Sequence, residues 1–233
     1  MSRSLSVLGP PTDDGLAGLI LAGATGLGVD LAHGQTDQLV GYLRLIDRWN
    51  ATYNLTAVRS LEAMATHHVV DSLSVVVPMR RRLPGSEKRI LDVGTGAGLP
   101  GVVLAIVERE SIVVCVDSVG KKAAFVTHVA AALGLENLSA VHSRVEAINA
   151  PPSFGFIVSR AYGSLPAFVS ATRHLLALGG WWMAMKGKVP HQELTDAASL
   201  GTVFEIEQVS IPGLRAERCL LIGKAISESE RKL

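Results

Sequence analysis

The sequence is short of aromatic side chains. Trp, Tyr and Phe together account for 5% of 233 residues, too few for a large aromatic binding surface. Cysteine is almost missing as well. Cys115 and Cys219 both sit in apolar, strand-like runs with no zinc spacing and no disulfide framework, which fits a reducing cytoplasm. Charge of one sign is lacking: 22 Lys and Arg stand against 21 Asp and Glu, a formal net charge of +1. A nucleic-acid partner therefore has to be argued from local residues rather than from a global basic field. Long apolar runs are missing too. The most apolar early stretch, Leu16 to Val29, spans 14 residues, short of the roughly 18–20 needed to cross a bilayer. Asp13 and Asp14 stand where a signal peptide would be positive. That stretch reads as a helix of a soluble protein, with no membrane partner.

What is present is a domain-sized apolar content. Hydrophobic residues make up 48% and charged residues 18%, which excludes a disordered chain. A chain of this length buries about 70% of its unfolded surface and holds a core without disulfides or metal. Residues 1–15, with Pro10 and Pro11, show little pattern and read as a loose N-terminus. Residues 16–85 read as a helical extension. Leu39, Val40, Leu43, Ile46 and Trp49 recur at helical spacing, and a second helical run, Leu61 to Val77, breaks at Pro78. Arg80, Arg81, Arg82, Pro84 and Gly85 then read as a basic boundary loop.

From residue 86 to 233 the pattern becomes strands alternating with helices, the signature of a doubly wound, Rossmann-like α/β sheet. Strands are expected near Ile90–Val93, Ile112–Val116, Leu138–Val141, Phe156–Ser159 and Trp181–Lys186. A long helix is expected over Leu165–Leu178. Two closing strands, near Phe204–Val209 and Arg218–Ile222, flank the turn residues Pro212 and Gly213 and suit an antiparallel edge hairpin. Trp181 and Trp182 are expected in the core.

The sharpest feature is the run Asp92-Val93-Gly94-Thr95-Gly96-Ala97-Gly98-Leu99-Pro100-Gly101 at the end of the first strand, where ligands of doubly wound sheets bind. Gly96, Gly98 and Gly101 satisfy the dinucleotide fingerprint G-x-G-x-x-G. The same run also reads Asp-x-Gly-x-Gly-x-Gly, the first motif of class I S-adenosylmethionine-dependent methyltransferases, and the leading Asp and Gly98 favour that reading. Asp117, at the end of the second strand, suits a ribose diol in either case. An NAD(P)-binding oxidoreductase and a non-catalytic nucleotide- or RNA-binding module remain as alternatives.

Outside the loop, several motifs occur in order: Trp49-Asn50, Tyr53-Asn54-Leu55-Thr56-Ala57-Val58, His68-Val69-Val70-Asp71-Ser72, Asp117-Ser118 with Lys121-Lys122, Ser143-Arg144-Val145-Glu146, Ser159-Arg160-Ala161 and Lys186-Gly187. This set resembles the bacterial ribosomal RNA small-subunit methyltransferase G family, also called the glucose-inhibited division protein B family, over about residues 35–225. The resemblance implies a class I methyltransferase fold. It implies S-adenosyl-L-methionine as cofactor, and methylation at N7 of one guanine in 16S ribosomal RNA, with naked rRNA or the small subunit as partner. It places cofactor contacts at Gly94, Leu99, Val145, Glu146 and Arg160; the loop glycines Gly96 and Gly98 and, from general class I logic, Asp117 join them. Family members usually have Phe-Asp where this chain has Phe154-Gly155.

N7 of guanine carries a lone pair and no proton, so the expected transfer is in line, with no general base and no catalytic residue. Asn54, Arg59, His68 and Arg160 are the candidates for holding the base. Phosphate contacts are expected from Lys121, Lys122 and Lys186, with Lys188, Arg80, Arg81, Arg82, Lys88 and Arg89 as further candidates. Asn54 and Thr56 suit a turn or a helix N-cap on sequence alone, and the resemblance makes substrate contact an equal reading for both. His67, His68 and Asp71 have helical spacing, but no ligand cluster accompanies them and no metal is expected. The protein is expected to be monomeric.

Overall fold

The computed structural model describes residues 12–85 and 88–225. Helix α1 (Asp13–Gly26) starts three residues earlier than expected, because the Thr12 hydroxyl accepts the Gly15 N–H at 3.2 Å and caps it. The rest of the segment expected to be loose, residues 1–11, lies outside the described residues. Helix α2 (Gln35–Tyr53) buries Leu39, Leu43 and Ile46 on one stripe and stops at Asn54, whose φ of 50° is left-handed. Asn54 therefore closes a helix rather than opening one.

The expected helix Leu61–Val77 is a more broken object. It runs as α3 (Leu61–Met64), a wide π-helical turn (Ala65–Val70), α4 (Asp71–Leu73) and α5 (Val76–Arg82). Pro78 does not end the run. It is the third residue of α5, where a backbone N–H has no acceptor within the helix anyway. Arg80, Arg81 and Arg82 consequently form the last turn of a helix rather than a loop, the end at which cations are favoured.

The α/β part follows as β1 (Arg89–Val93), α6 (Gly101–Val107), β2 (Ile112–Asp117), α7 (Gly120–Leu133), β3 (Leu138–His142), β4 (Phe154–Arg160), α8 (Leu165–Thr172), β5 (Leu176–Lys186), α9 (His191–Ser199), β6 (Thr202–Gln208) and β7 (Cys219–Ala225). The strand order is β3-β2-β1-β4-β5-β7-β6. All pairings are parallel except those of β7, which runs against both β5 and β6. The antiparallel edge hairpin is thus as expected. Helix α8 ends well before Leu178, because Leu176 is already paired with Phe154 in the sheet.

Helices cover both faces. On one side Leu16, Ile20, Leu43, Ile46, Val103 and Phe125 pack with Ile90, Val113, Phe156 and Ile222 of the sheet. The N-terminal helices therefore share a core with the α/β part. On the other side Phe168, Val169 and Ala197 of α8 and α9 pack with Leu91, Ile157, Trp182 and Leu221. Trp182 is fully buried and donates its indole N–H to Thr172 Oγ1 at 2.9 Å. Trp181 is half-buried, its ring covered by Arg82 and Lys224.

Candidate active site

Strand order reverses between β1 and β4, which opens a crevice at the carboxyl edge of the sheet. The glycine-rich loop after β1 lies there and is held from three sides. From below, fully buried Asp92 accepts the Gly101 N–H at 2.9 Å and the Thr95 hydroxyl on Oδ2. Burial raises its pKa to about 6, partly offset by those two hydrogen bonds. From the side, buried Asp117 accepts the Gly96 N–H on Oδ2 and the Val119 N–H on Oδ1, both at 2.9 Å, with the Lys122 ammonium 3.8 Å away. From the helical extension, buried Tyr42 donates its hydroxyl to the Ala97 carbonyl. Gly98, at φ +91°, is required by the turn itself, since a Cβ there would lie 2.5 Å from Val102 Cγ2.

Two clefts flank this loop. The first, about 390 Å³, is walled by Val93 and Gly94 of β1 and its loop, Asp117 to Val119, Ser143 to Glu146, and Tyr162. The second, about 250 Å³, lies between the loop (Gly94 to Ala97, Leu99) and the helical extension (Leu55, Thr56), with Arg160 at its side. Gly94, Lys122 and Ala161 border both clefts, so the two spaces meet. At this junction Ala161 adopts φ +65°, a conformation rare for a residue with a Cβ.

The helical wall of the second cleft is fixed by a polar network. Thr56 Oγ1 lies 2.8 Å from His68 Nε2 and accepts the Val58 N–H at 3.1 Å. Burial, followed by the nearby Arg160 charge, lowers the His68 pKa to about 4, so the ring is neutral at neutral pH. Arg160 donates to the His67 carbonyl at 3.0 Å and lies 3.6 Å from buried Asp71, which also accepts from Arg218 Nε at 3.0 Å. The wide π-helical turn thus presents the His67 carbonyl, and α4 directly after it the Asp71 carboxylate, to the end of β4.

The sequence model of the rRNA small subunit methyltransferase G family matches residues 35–222. The chain belongs to this family. A relative from Methylibium petroleiphilum named Ribosomal RNA small subunit methyltransferase G is 49% identical over 199 residues, covering 85% of this chain and 90% of that protein. Two solved structures are similar in fold alone. The DhpI–SAH complex superposes with a TM-score of 0.53 at 14% identity, covering 84% of this chain and all (100%) of that one. The glycopeptide N-methyltransferase MtfA gives 0.54 at 14% identity, over 66% of this chain and 90% of that one. The fold is that of class I methyltransferases, and the family makes the chain an S-adenosylmethionine-dependent enzyme.

In this family member the expected residues divide among several places. Gly94, Asp117, Val145 and Glu146 border the first cleft, while Gly96, Leu99 and Arg160 border the second, and Lys122 touches both. Gly98 lines neither and shapes the turn. Arg160 faces the helical extension, where Asp71 and the His67 carbonyl account for its partial burial without a ligand. His68 lies behind Thr56 rather than in the cleft. Asn54, Arg59 and Lys121 are exposed beyond the cleft walls. Lys186 is turned away, donating to the Gly163 carbonyl at 2.9 Å and to Glu193 at 3.1 Å.

Several phosphate candidates are already paired: Arg80 and Lys88 share Glu108, Arg81 binds Glu207, and Arg82 binds Glu205 and Glu207. Arg89 lies over the Phe154 ring. Gly155 sits at the start of β4, five residues or about 16 Å along the strand from Arg160, so the family's aspartate position is remote from the clefts.

Thr56, for which substrate contact and a turn are equal readings, lines the second cleft, whereas Tyr42, Ala161 and Tyr162 were not legible as site residues. Tyr162 borders the first cleft and donates to Glu146 at 3.2 Å. Its place directly after Ser159-Arg160-Ala161 was the available signal. Among the described residues there is no group of three His, Cys, Asp or Glu able to hold a metal ion. No described helix is long and apolar enough to cross a membrane.

Proposed function

We propose that this enzyme transfers a methyl group from S-adenosyl-L-methionine to N7 of one guanine in 16S ribosomal RNA, with the donor in the first cleft and the guanine in the second. The observation that carries this reading is the junction of the two clefts at Gly94, Lys122 and Ala161, which brings a donor space and an acceptor space together.

The residues of the first cleft fit the cofactor. Asp117 has a carboxylate fixed by two backbone N–H groups, with lone pairs remaining for a ribose diol. Val116, Val119 and Val145 offer an apolar slot for the adenine ring, with Glu146 at its rim. Gly94 presents bare backbone at the junction. When bound, the cofactor supplies an electrophilic methyl group on a sulfonium centre.

The second cleft orients the acceptor. Thr56, Leu99 and Arg160 hold the guanine, Lys122 stands at the junction, and Asn54, Arg59 and Lys121 lie outward along the RNA path. Because N7 is a free lone pair, no group has to remove a proton, and the contribution of the chain is alignment and exclusion of water. Positive charge moves from sulfur to guanine during transfer. Pairing of Arg160 with Asp71 and of Lys122 with Asp117 moderates the repulsion that two unpaired cations would exert on the product.

A labelled-methyl assay on small subunits and on naked rRNA from cells lacking the enzyme tests the reading. Label at one guanine N7 is expected, and label at no guanine in either substrate rejects it. Calorimetry supplies the cofactor control, with S-adenosylmethionine binding and NAD not.

A further inference from the structure

Four aromatic rings cluster where α2 packs on α7, a few residues along the chain from the wall of the second cleft. Trp49 of α2 packs 5.3 Å from Phe125 and 5.3 Å from His128 of α7, and Tyr53 packs 5.1 Å from Trp49. Tyr53 is 39% exposed, so the cluster includes a ring open to solvent. Its position is set by the antiparallel packing of α2 against α7. Gln38, near the start of α2, donates to the Leu133 carbonyl at the end of α7, while Trp49 lies on Phe125 and His128. Tyr53 is four residues beyond Trp49, about 6 Å nearer the start of α7. That places it level with the turn carrying Lys121 and Lys122.

Both neighbours of this ring bear on a ligand. Lys122 borders the second cleft, and Leu55 and Thr56, immediately after Tyr53 and Asn54, form its wall. Lys121 lies on the α7 stripe of Phe125 and His128, is exposed, and makes no ion pair with another described residue. An open aromatic ring level with an exposed lysine, two residues along the chain from the wall of an acceptor cleft, has the chemistry of a stacking platform for an unpaired base and its phosphate.

We infer that Tyr53, backed by Trp49, stacks on the base of a nucleotide adjacent to the target guanine, with Lys121 on its phosphate. This rests on the proposed function and adds to it. The enzyme takes its guanine from single-stranded RNA, gripped at a flanking base through a face that every base possesses. Tyr53 is a positioning residue, since it touches the RNA beside the reacting nucleotide and not the reacting atoms.

The test compares wild type, Tyr53→Ala and Tyr53→Phe in two measurements. The first is the affinity for a fluorescein-labelled oligoribonucleotide, single-stranded or annealed to its complement. The second is methyl transfer to undermethylated small subunits, with kcat and KM separated. Stacking on one base corresponds to about 5- to 150-fold in affinity. Tyr53→Ala is therefore expected to weaken single-strand binding and raise KM by a factor in that range. Tyr53→Phe should restore both to within about twofold, with S-adenosylmethionine affinity and melting temperature unchanged. Wild-type affinity in a well-folded Tyr53→Ala protein overturns the inference, as does an equal loss on duplex and single strand. If the oligonucleotide responds to Tyr53 but wild type methylates no guanine, the functional reading fails and the platform stands.

Discussion

Asp117 Oδ2 accepts the Gly96 N–H at 2.9 Å, so the carboxylate assigned to the ribose also holds the glycine loop in place. The two roles cannot be separated by removing the side chain. Asp117→Asn keeps the shape but sets an amide NH₂ against one of the two backbone N–H groups that the carboxylate now satisfies. A loss of about 10- to 150-fold in S-adenosylmethionine affinity is expected, from hydrogen bonds to a charged group. Calorimetry reads the affinity, and an unchanged value removes Asp117 from the cofactor site.

Gly98 is a purely conformational residue. At φ +91°, with a Cβ meeting Val102 Cγ2 at 2.5 Å, Gly98→Ala is expected to cost about 1–3 kcal/mol. Chemical denaturation measures it. Gly134→Ala is the control, since it shares a positive φ of 64° but has open space around it. The difference between the two isolates the clash from the backbone strain.

Two buried groups oppose each other in their pH dependence. Asp92 has its pKa raised to about 6, so folding is disfavoured progressively as pH rises from about 4 to about 6. His68 has its pKa lowered to about 4, so folding is favoured progressively as pH rises from about 4 to about 6.5. Each contribution is on the order of 3 kcal/mol and the two largely cancel in the wild type. Relative to wild type, Asp92→Asn is expected to gain stability with rising pH across this window, and His68→Gln to lose it. Parallel denaturation curves for all three proteins from pH 4 to pH 7 contradict both assignments.

RNA binding should depend only weakly on salt. Arg80, Arg81, Arg82, Lys88 and Lys186 are engaged by glutamates, which leaves few cations near the clefts for phosphates. A log–log slope of about −2 to −4 is expected for single-stranded RNA, against about −6 for eight neutralised phosphates. Anisotropy titrations between low and moderate salt decide between them. The near-neutral composition, 22 basic against 21 acidic residues, already pointed this way.

The order of strands and helices and the glycine loop were legible because they depend on local pattern. Apolar runs such as Ile112–Val116 make buried strands, and Gly94, Gly96 and Gly98 mark a turn that side chains would obstruct. The family was legible because its motifs are spread along the chain. Less legible was the region 61–82. One continuous apolar period conceals a π-helical turn, and Pro78 interrupts nothing when it falls in a first turn. The end of α8 was missed because strand pairing at Leu176 overrode helical propensity.

The sequence by itself determined the sheet, the loop, the acid at position 117 and the family, since each is written in residue types at fixed spacing. Only the tertiary structure decided which charges are free and which faces meet. Arg82 and Glu205 are 123 residues apart in sequence, and Asp71 and Arg218 are 147 apart. Pairings of that range leave no periodic trace in a chain. The same holds for the aromatic cluster, since Trp49 and Phe125 come together only because α2 packs antiparallel on α7. A count of aromatic residues shows how few there are, while packing decides that three of them cluster on one helix pair.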